Sequence, residues 1–130
     1  MPFPNDFIQF LHQHTLVGIK GGEQRKTFLD IWMVEVGGRV FARSWSKSER
    51  SWFTAFQQES FGEIRYGKSI LRVKGIKLSH DPNLSDNINQ AYLTKYTQEQ
   101  NIRYAQGITQ PEYVDYTMEF FFLEKKEVDL

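Results

Sequence analysis

The sequence predicts a mainly β domain with flanking helices, built as a six-stranded antiparallel barrel. Two glycine pairs, Gly21-Gly22 and Gly37-Gly38, separate apolar segments of strand length and are typical of hairpin turns. Aromatic residues, which favour strands, make up 15% of the chain. Helical periodicity is confined to short segments, so helices would cover the openings and sides of the barrel. At 130 residues the chain is predicted to form one domain, residues 1–130.

A helix and three strands are predicted in the first third of the chain. Apolar residues at helical spacing place the helix from about Asn5 to His12. The strands are "TLVGIK", "RKTFLDIWMVEV" and "RVFARSW". Alternation assigns every second strand residue to the interior or to another buried face. With a later hairpin included, the predicted interior residues are Ile31, Met33, Val40, Ala42, Leu71 and Val73.

The rest of the chain alternates between helix and strand. The segment "SERSWFTAFQQESF" has a helical period, with Ser48 or Ser51 as its N-cap. The hairpin "GEIRYGKSILRVKGIKL" follows, and another helix begins near Pro82. On that helix, Tyr92 and Tyr96 are interpreted as a packing face, with a ring-stacking role as the alternative. "YVDYTMEFFFL" is the last strand and "EKKEVDL" a solvated tail.

Charge and composition limit the classes of partner. Sixteen basic and sixteen acidic side chains cancel, whereas proteins that bind nucleic-acid backbones usually carry a basic excess. No apolar run is long enough for a membrane-spanning helix, and the N-terminus lacks the features of a signal peptide. The absence of cysteine excludes disulfides and thiolate chemistry. We therefore expect a cytoplasmic protein without a nucleic-acid or membrane partner.

The sequence contains no recognisable catalytic motif. It lacks G-x-S-x-G, G-x-G-x-x-G and Walker-type segments. The segment Gly67-Lys68-Ser69 ends like a phosphate loop but lacks the upstream glycine, and we interpret it as a turn. His12 and His14 form an H-x-H pair with no third ligand at a suitable spacing, so no metal site is expected. The catalytic residues are unknown from the sequence.

Anion-binding side chains are densest in "FARSWSKSERSWF", residues 41–53. A strand end that meets a helix N-terminus exposes backbone N–H groups, which favour an anion. Basic and hydroxyl side chains there would add charge-assisted hydrogen bonds. Two interpretations stay open, an anion site or a connection that only caps the helix. The candidates are Arg43, Ser44, Lys47 and Ser48, with Lys20, Arg25 and Lys26 near the first hairpin turn.

Several segments together resemble the family called domain of unknown function 2255. They are "DIWMVEVGGRVFARSW", "SWF", "GEIRYG" and "AYLTKY", followed by the β-rich last strand. The resemblance extends from about Thr15 to Leu123. That family is similar to the FMN-binding split-barrel superfamily, which includes pyridoxamine-phosphate-oxidase-like proteins and deazaflavin-dependent nitroreductases. The resemblance implies an FMN-binding split-barrel-like fold of six strands, and a homodimer with a cofactor at its interface.

The resemblance also implies roles for individual residues. In flavin-binding relatives, basic and hydroxyl side chains hold the cofactor phosphate, a role that falls on Arg43, Ser44 and Lys47, and more weakly on Ser48. Trp32 lies on the strand that in relatives runs beside the isoalloxazine ring. The implied function is that of an oxidoreductase with FMN or a deazaflavin as cofactor. The alternative is a non-enzymatic module of the same fold that binds a small ligand or a partner.

Overall fold

The computed structural model describes residues 1–45 and 51–126, in which helices flank one antiparallel sheet. The helices are α1 (Asn5–Gln13), α2 (Trp52–Glu59), α3 (Pro82–Lys95) and α4 (Ile102–Ile108), followed by a 3-10 helix, Pro111–Tyr116. The strands are β1 (Val17–Gly21), β2 (Leu29–Ile31), β3 (Val34–Val36), β4 (Arg39–Arg43), β5 (Phe61–Tyr66), β6 (Ser69–Lys77) and β7 (Thr117–Lys126). Within these described ranges, no helix is both long enough and apolar enough to cross a membrane.

The strands of the described chain form one antiparallel sheet that curls. Its strand order is β2-β1-β5-β6-β7-β4-β3, and every neighbouring pair is antiparallel. The edge strands β2 and β3 are joined in the chain only by Trp32 and Met33. Because such a link spans at most about 10 Å, the two edges of the sheet must approach each other. The sheet is therefore a curled half-barrel whose edges meet at Trp32 and Met33.

This sheet has seven strands, not the predicted six, because "RKTFLDIWMVEV" is interrupted. At the interruption the backbone of Met33 forms hydrogen bonds with two side chains at the end of α3 instead of with a neighbouring strand. The Met33 N–H donates to Tyr96 Oη over 3.1 Å, and Lys95 Nζ donates to the Met33 carbonyl over 2.6 Å. The Trp32 ring stacks on Tyr96 with centroids 3.8 Å apart. Local alternation predicts one long strand because it contains no information about these distant partners.

The end of the chain also differs from the prediction. The segment expected to enter the last strand at Tyr113 forms the 3-10 helix instead, and α4 precedes it. Strand β7 continues to Lys126, which pairs with Ile70 of β6. Part of the predicted solvated tail is therefore the end of a strand. The charged residues of this segment favoured the prediction of a solvated tail, although they continue the strand.

The start of α2 agrees with one of the two predicted caps. Ser51 Oγ accepts a hydrogen bond from the Thr54 N–H over 3.1 Å, which satisfies one of the free donors of the first turn. The other candidate cap, Ser48, lies outside the described residues.

One hydrophobic core fills the inside of the curled sheet, with contributions from α1 and α2. The Phe56 ring of α2 is fully buried there, 5.3 Å from the Phe120 ring. Gly62 and Gly75 pass so close to Phe56 that a Cβ on either would overlap the ring. Of the predicted interior residues, Met33, Val40, Ala42, Leu71 and Val73 are buried in this core, and Ile31 packs half-buried against it.

A second core lies between the two later helices, α3 and α4, and the outer face of β3 and β4. Phe41 is buried here, while its neighbours Val40 and Ala42 are buried in the first core, as strand alternation requires. Tyr92 and Tyr96 are among the largest fully buried side chains. The predicted packing face of α3 is therefore confirmed, and it fixes this helix beside the interruption at Met33.

Candidate functional site

A cavity of about 480 Å³ opens beside the break between β2 and β3. Ligand pockets typically measure roughly 300–1,000 Å³, so this one suits a small organic molecule. Aromatic and aliphatic side chains form most of its wall, with a few polar groups among them. We call it the aromatic pocket. Its wall includes Arg25, Trp32, Arg43, Trp45, Tyr92 and Tyr104.

The break in the sheet holds Trp32 at the wall of this pocket. Its indole stacks on Tyr96 with an interplanar angle of 7° and lies 6.5 Å from the Tyr92 ring. Tyr96 is itself fixed, because its hydroxyl donates to the Thr15 carbonyl over 2.7 Å. The indole is therefore held in one orientation on a rigid aromatic base. A fixed ring of this kind suits stacking on a flat ligand.

A second tryptophan, Trp45, lines the pocket just after β4 and packs on α4. A Cβ at position 107 would lie 3.0 Å from Trp45 Cη2, so Gly107 allows the indole to approach the helix. The Trp45 ring lies edge-on to Tyr113 at 5.0 Å and to Tyr104 at 6.5 Å. Trp45 is 46% exposed and Tyr104 56% exposed. Two aromatic rings are thus available to a ligand as well as to solvent.

Arg43, the last residue of β4, lines the same pocket although only 3% of it is exposed. Its Nε donates to Thr117 Oγ1 of β7 over 3.0 Å. Its Nη1 donates to Asn89 Oδ1 of α3 and, over 3.2 Å, to the Ile108 carbonyl of α4. Its Nη2 donates to the Ser85 carbonyl over 3.3 Å. The guanidinium thus joins the end of the sheet to both helices of the second core.

The charge of Arg43 has no carboxylate partner within the described ranges 1–45 and 51–126. Burial lowers its pKa, but a guanidinium remains protonated in a protein. It carries five N–H donors, and the four bonds above leave one Nη2 N–H without an acceptor in this part of the chain. A buried cation surrounded by uncharged acceptors favours an anion in the adjoining cavity.

Tyr92 holds the backbone of Arg43 in place. Its hydroxyl accepts the Arg43 N–H over 2.9 Å. Burial raises the pKa of Tyr92 to about 12, so the hydroxyl is neutral at physiological pH. The Tyr92 hydroxyl therefore positions the pocket cation, and its phenolic proton is poorly available for transfer at neutral pH.

The aromatic pocket brings together three of the residues predicted for a site. Trp32 was predicted beside a flat ring, and Arg25 and Arg43 were predicted for an anion; all three line the pocket. Arg25 is exposed, and its Nη2 donates to the Ser51 carbonyl over 3.4 Å. The pocket therefore combines a stacking surface with two cationic side chains and one exposed carboxylate, Asp30.

The other predicted site residues do not line this pocket. Lys20 lines a separate cavity, where its Nζ lies 2.9 Å from the Glu63 carboxylate. Lys26 is exposed and Ser44 is buried. The remaining candidates Lys47 and Ser48 lie outside the described residues. Lys20, Lys26 and Ser44 thus do not join Arg25, Trp32 and Arg43 at this pocket, and their roles in binding a cofactor stay predictions.

Some pocket residues were not predicted as ligand contacts. Trp45 and Trp52 were interpreted as strand and helix residues, and Tyr104 had no predicted role, yet all three line the cavity. Their only sequence signal is the high aromatic content of the chain. Tyr92 was interpreted as core with stacking as the alternative; it is fully buried in the second core and also reaches the pocket wall.

The two histidines of the H-x-H pair have different partners. His12 Nε2 lies 2.9 Å from Glu35 Oε1. The His14 ring stacks on Phe10, and its Nδ1 lies 3.2 Å from the Phe10 carbonyl. Among the residues that the structure describes, no group of three His, Asp or Glu side chains is arranged to hold a metal ion.

Comparison with known proteins places the chain in one family. No curated protein and no solved structure was found to match it. The model of one protein family, described as "Uncharacterized protein conserved in bacteria (DUF2255)", matches residues 17–120. This range includes every strand from β1 to β6, most of the helices and the start of β7. The chain therefore belongs to the DUF2255 family.

Proposed function

We propose that the protein binds a small, flat, anionic ligand in the aromatic pocket. The observation that carries the proposal is a buried guanidinium, Arg43, in the wall of a cavity otherwise lined mainly by rings and aliphatic side chains. Rings recognise a flat apolar body, and a single fixed cation orients its anionic group. Arg25, exposed on the same wall, would add a second positive charge.

The chemistry of Arg43 sets the expected preference among ligands. A charge-assisted hydrogen bond contributes on the order of 1.5–3 kcal/mol, so an anion should bind roughly tenfold to a hundredfold more tightly than its neutral isostere. The N–H of Nη2 that has no acceptor in the described chain is the donor proposed for this bond. A neutral ligand would leave the buried charge with uncharged partners only.

Isothermal titration calorimetry with 2-naphthoate and 2-naphthamide tests this prediction. The two probes share a ring system and differ in charge, so naphthoate should bind at least tenfold more tightly. Trp45→Ala should weaken naphthoate binding by roughly fivefold, because it removes about 1 kcal/mol of ring contact. Leu93→Ala removes an exposed apolar side chain outside the pocket and should leave affinity unchanged. Equal affinity for the two probes would refute the role of Arg43.

The second candidate function is that of a flavin- or deazaflavin-dependent oxidoreductase. This proposal includes membership of the FMN-binding split-barrel superfamily. The specific support is that Trp32, expected beside the ring, and Arg43, expected at the phosphate, line one pocket. The fit is good for a ring and weaker for a phosphate, since Ser44 is buried away from the pocket. A bound flavin would supply hydride-transfer chemistry of its own; Trp32 would orient the ring and Arg43 and Arg25 the phosphate.

Calorimetric titrations with FMN and riboflavin, which differ by the phosphate, distinguish the two candidate functions. Binding of FMN, with riboflavin at least tenfold weaker, supports the flavin candidate. If naphthoate binds and neither flavin does, the ligand is a smaller anion and the oxidoreductase candidate is rejected. If none of the anionic probes binds, the binding function itself is wrong.

We also propose that the protein is a homodimer that pairs through the outer face of β5, β6 and β7. Phe61 and Phe121, 46% and 42% exposed, lie on either side of Lys74 across these three strands. An exposed pair of opposite charge, Arg72 and Glu124, lies on the same strands. A two-fold axis would set apolar side chains against each other and bring opposite charges together, which favours a second copy as the partner.

Light scattering tests the dimer at tens of micromolar protein. The wild type should elute with twice the mass of one chain. Phe121→Glu should elute as a monomer, because it replaces one of the two exposed rings of the proposed interface by a charge, whereas Tyr104→Glu, at an exposed ring outside that face, should still elute as a dimer. A monomeric wild type would contradict the proposal.

A further inference from the structure

Another cavity, of about 370 Å³, lies between α1, β3 and α3 and shares no residue with the aromatic pocket. Its wall is apolar at Leu11, Val34 and Ala91 and carries one amine, Lys95. The only other ionisable side chains in its wall are His12 and Glu35, which pair with each other at 2.9 Å. We call it the lysine cavity. Nothing in the proposed function uses it.

Lys95 is held in this wall by uncharged groups. Its Nζ donates to the Met33 carbonyl over 2.6 Å and lies 5.1 Å from the centre of the Tyr96 ring. Within residues 1–45 and 51–126 it has no carboxylate partner, whereas Lys20, Lys125 and Lys126 each pair with one. A neutral amine can still donate to the carbonyl, whereas the contact with the ring favours the ammonium.

The surroundings of Lys95 favour the neutral amine. Burial lowers the pKa of Lys95 to about 8. At pH 7.4 about a fifth of the molecules then carry a neutral amine, against about one in a thousand for an ordinary lysine. The Tyr96 phenol, which faces Lys95, has its pKa raised by burial and stays neutral. Burial would also raise the pKa of Glu35, but hydrogen bonds from Gly38 and His12 hold it below its usual value.

We propose that Lys95 is a nucleophilic amine that forms a reversible imine with a small apolar aldehyde bound in the lysine cavity. The Nζ lone pair attacks the carbonyl carbon to give a carbinolamine. Loss of the hydroxyl with a proton releases water and leaves the C=N bond, so one amine and one aldehyde give one imine and one water. Leu11, Val34 and Ala91 provide the apolar contacts for the aldehyde side chain.

Reductive trapping with benzaldehyde and sodium cyanoborohydride, read by peptide mass spectrometry, tests the proposal. At pH 7.4 Lys95 should be benzylated at least tenfold faster than Lys125, whose hydrogen bond to Asp6 raises its pKa. The ratio of the two rates should fall as the pH rises from 8 to above 10, because Lys125 then also loses its proton. Lys95→Arg should remove the fast site, while Lys125→Arg should leave it.

A variant with a smaller cavity distinguishes binding of the aldehyde in the lysine cavity from a general reactivity of the Lys95 amine. Ala91→Leu fills part of the cavity and should slow benzylation of Lys95 severalfold, while modification by formaldehyde, which needs little space, should continue at the wild-type rate. Equal benzylation of Lys95 and Lys125 at pH 7.4 would overturn the proposal. The proposal would also be overturned if Ala91→Leu changed the rates of Lys95 modification by benzaldehyde and by formaldehyde to the same extent, since the cavity would then have no part in the reaction.

Discussion

An Arg43→Ala variant is expected to lose about 3 kcal/mol of unfolding free energy. The substitution removes the donors for Thr117 Oγ1, Asn89 Oδ1 and the carbonyls of Ser85 and Ile108. Buried acceptors that lose a donor each cost about 1–3 kcal/mol, and removal of a buried charge offsets part of that cost. Urea unfolding followed by circular dichroism measures the change.

Arg72→Ala is the matched control, because Arg72 is also a strand arginine but forms an exposed pair with Glu124. It should change the unfolding free energy by less than about 1 kcal/mol. The loss of unfolding free energy for Arg43→Lys should lie between those of Arg43→Ala and Arg72→Ala, since a lysine keeps the charge and loses the planar set of donors. A stable Arg43→Ala would show that the four hydrogen bonds contribute little. An unstable variant whose folded fraction still binds naphthoate normally would make Arg43 purely structural and refute the proposed anion contact.

Gly75→Ala is expected to lower the free energy of unfolding by about 1–3 kcal/mol, the usual effect of overpacking a core. A Cβ at this position would lie 2.5 Å from Phe56 Cδ1, and its three nearest neighbours are all atoms of that one ring. The ring cannot move away easily, because it is fully buried against Trp52 and Phe120. Thermal and urea unfolding measure the loss.

A double-mutant cycle identifies the ring as the cause. Phe56→Leu alone should destabilise through a cavity, but Gly75→Ala combined with Phe56→Leu should cost less than the sum of the two, because the smaller side chain leaves space for the new methyl group. Strictly additive costs would contradict the steric explanation. Gly62 is unsuitable for the cycle, since a Cβ there would also collide with the backbone of Lys20.

Local patterns predicted most of the fold, and the failures have a common cause. The second glycine pair located its turn correctly, since Gly37 and Gly38 both have positive φ between β3 and β4. The first pair marked only the end of β1, because the connection that starts at Gly22 extends to the residue before Leu29. Alternation likewise separated Phe41 from Val40 and Ala42. The number of strands was wrong because the backbone of Met33 is bonded by a tyrosine 63 residues away, a contact that no local pattern contains.

The site was predicted in part for a similar reason. Arg43 stood out in the segment that is densest in anion-binding side chains, and Trp32 through the family resemblance; both line the aromatic pocket. The sequence could not indicate that α4 brings Tyr104 and Ile108 to the same wall, since that depends on how helices pack on the sheet. It also suggested Ser44 beside Arg43, but Ser44 follows the end of β4 and is buried outside the lining of the pocket.

A crystal structure of the protein with 2-naphthoate tests the central claim most directly. The claim predicts that the naphthalene ring lies in the aromatic pocket against Trp32 and that the carboxylate accepts a hydrogen bond from Arg43 Nη2 at about 2.7–2.9 Å. Naphthoate bound elsewhere on the protein, or in the pocket with its carboxylate turned away from Arg43, would contradict the claim.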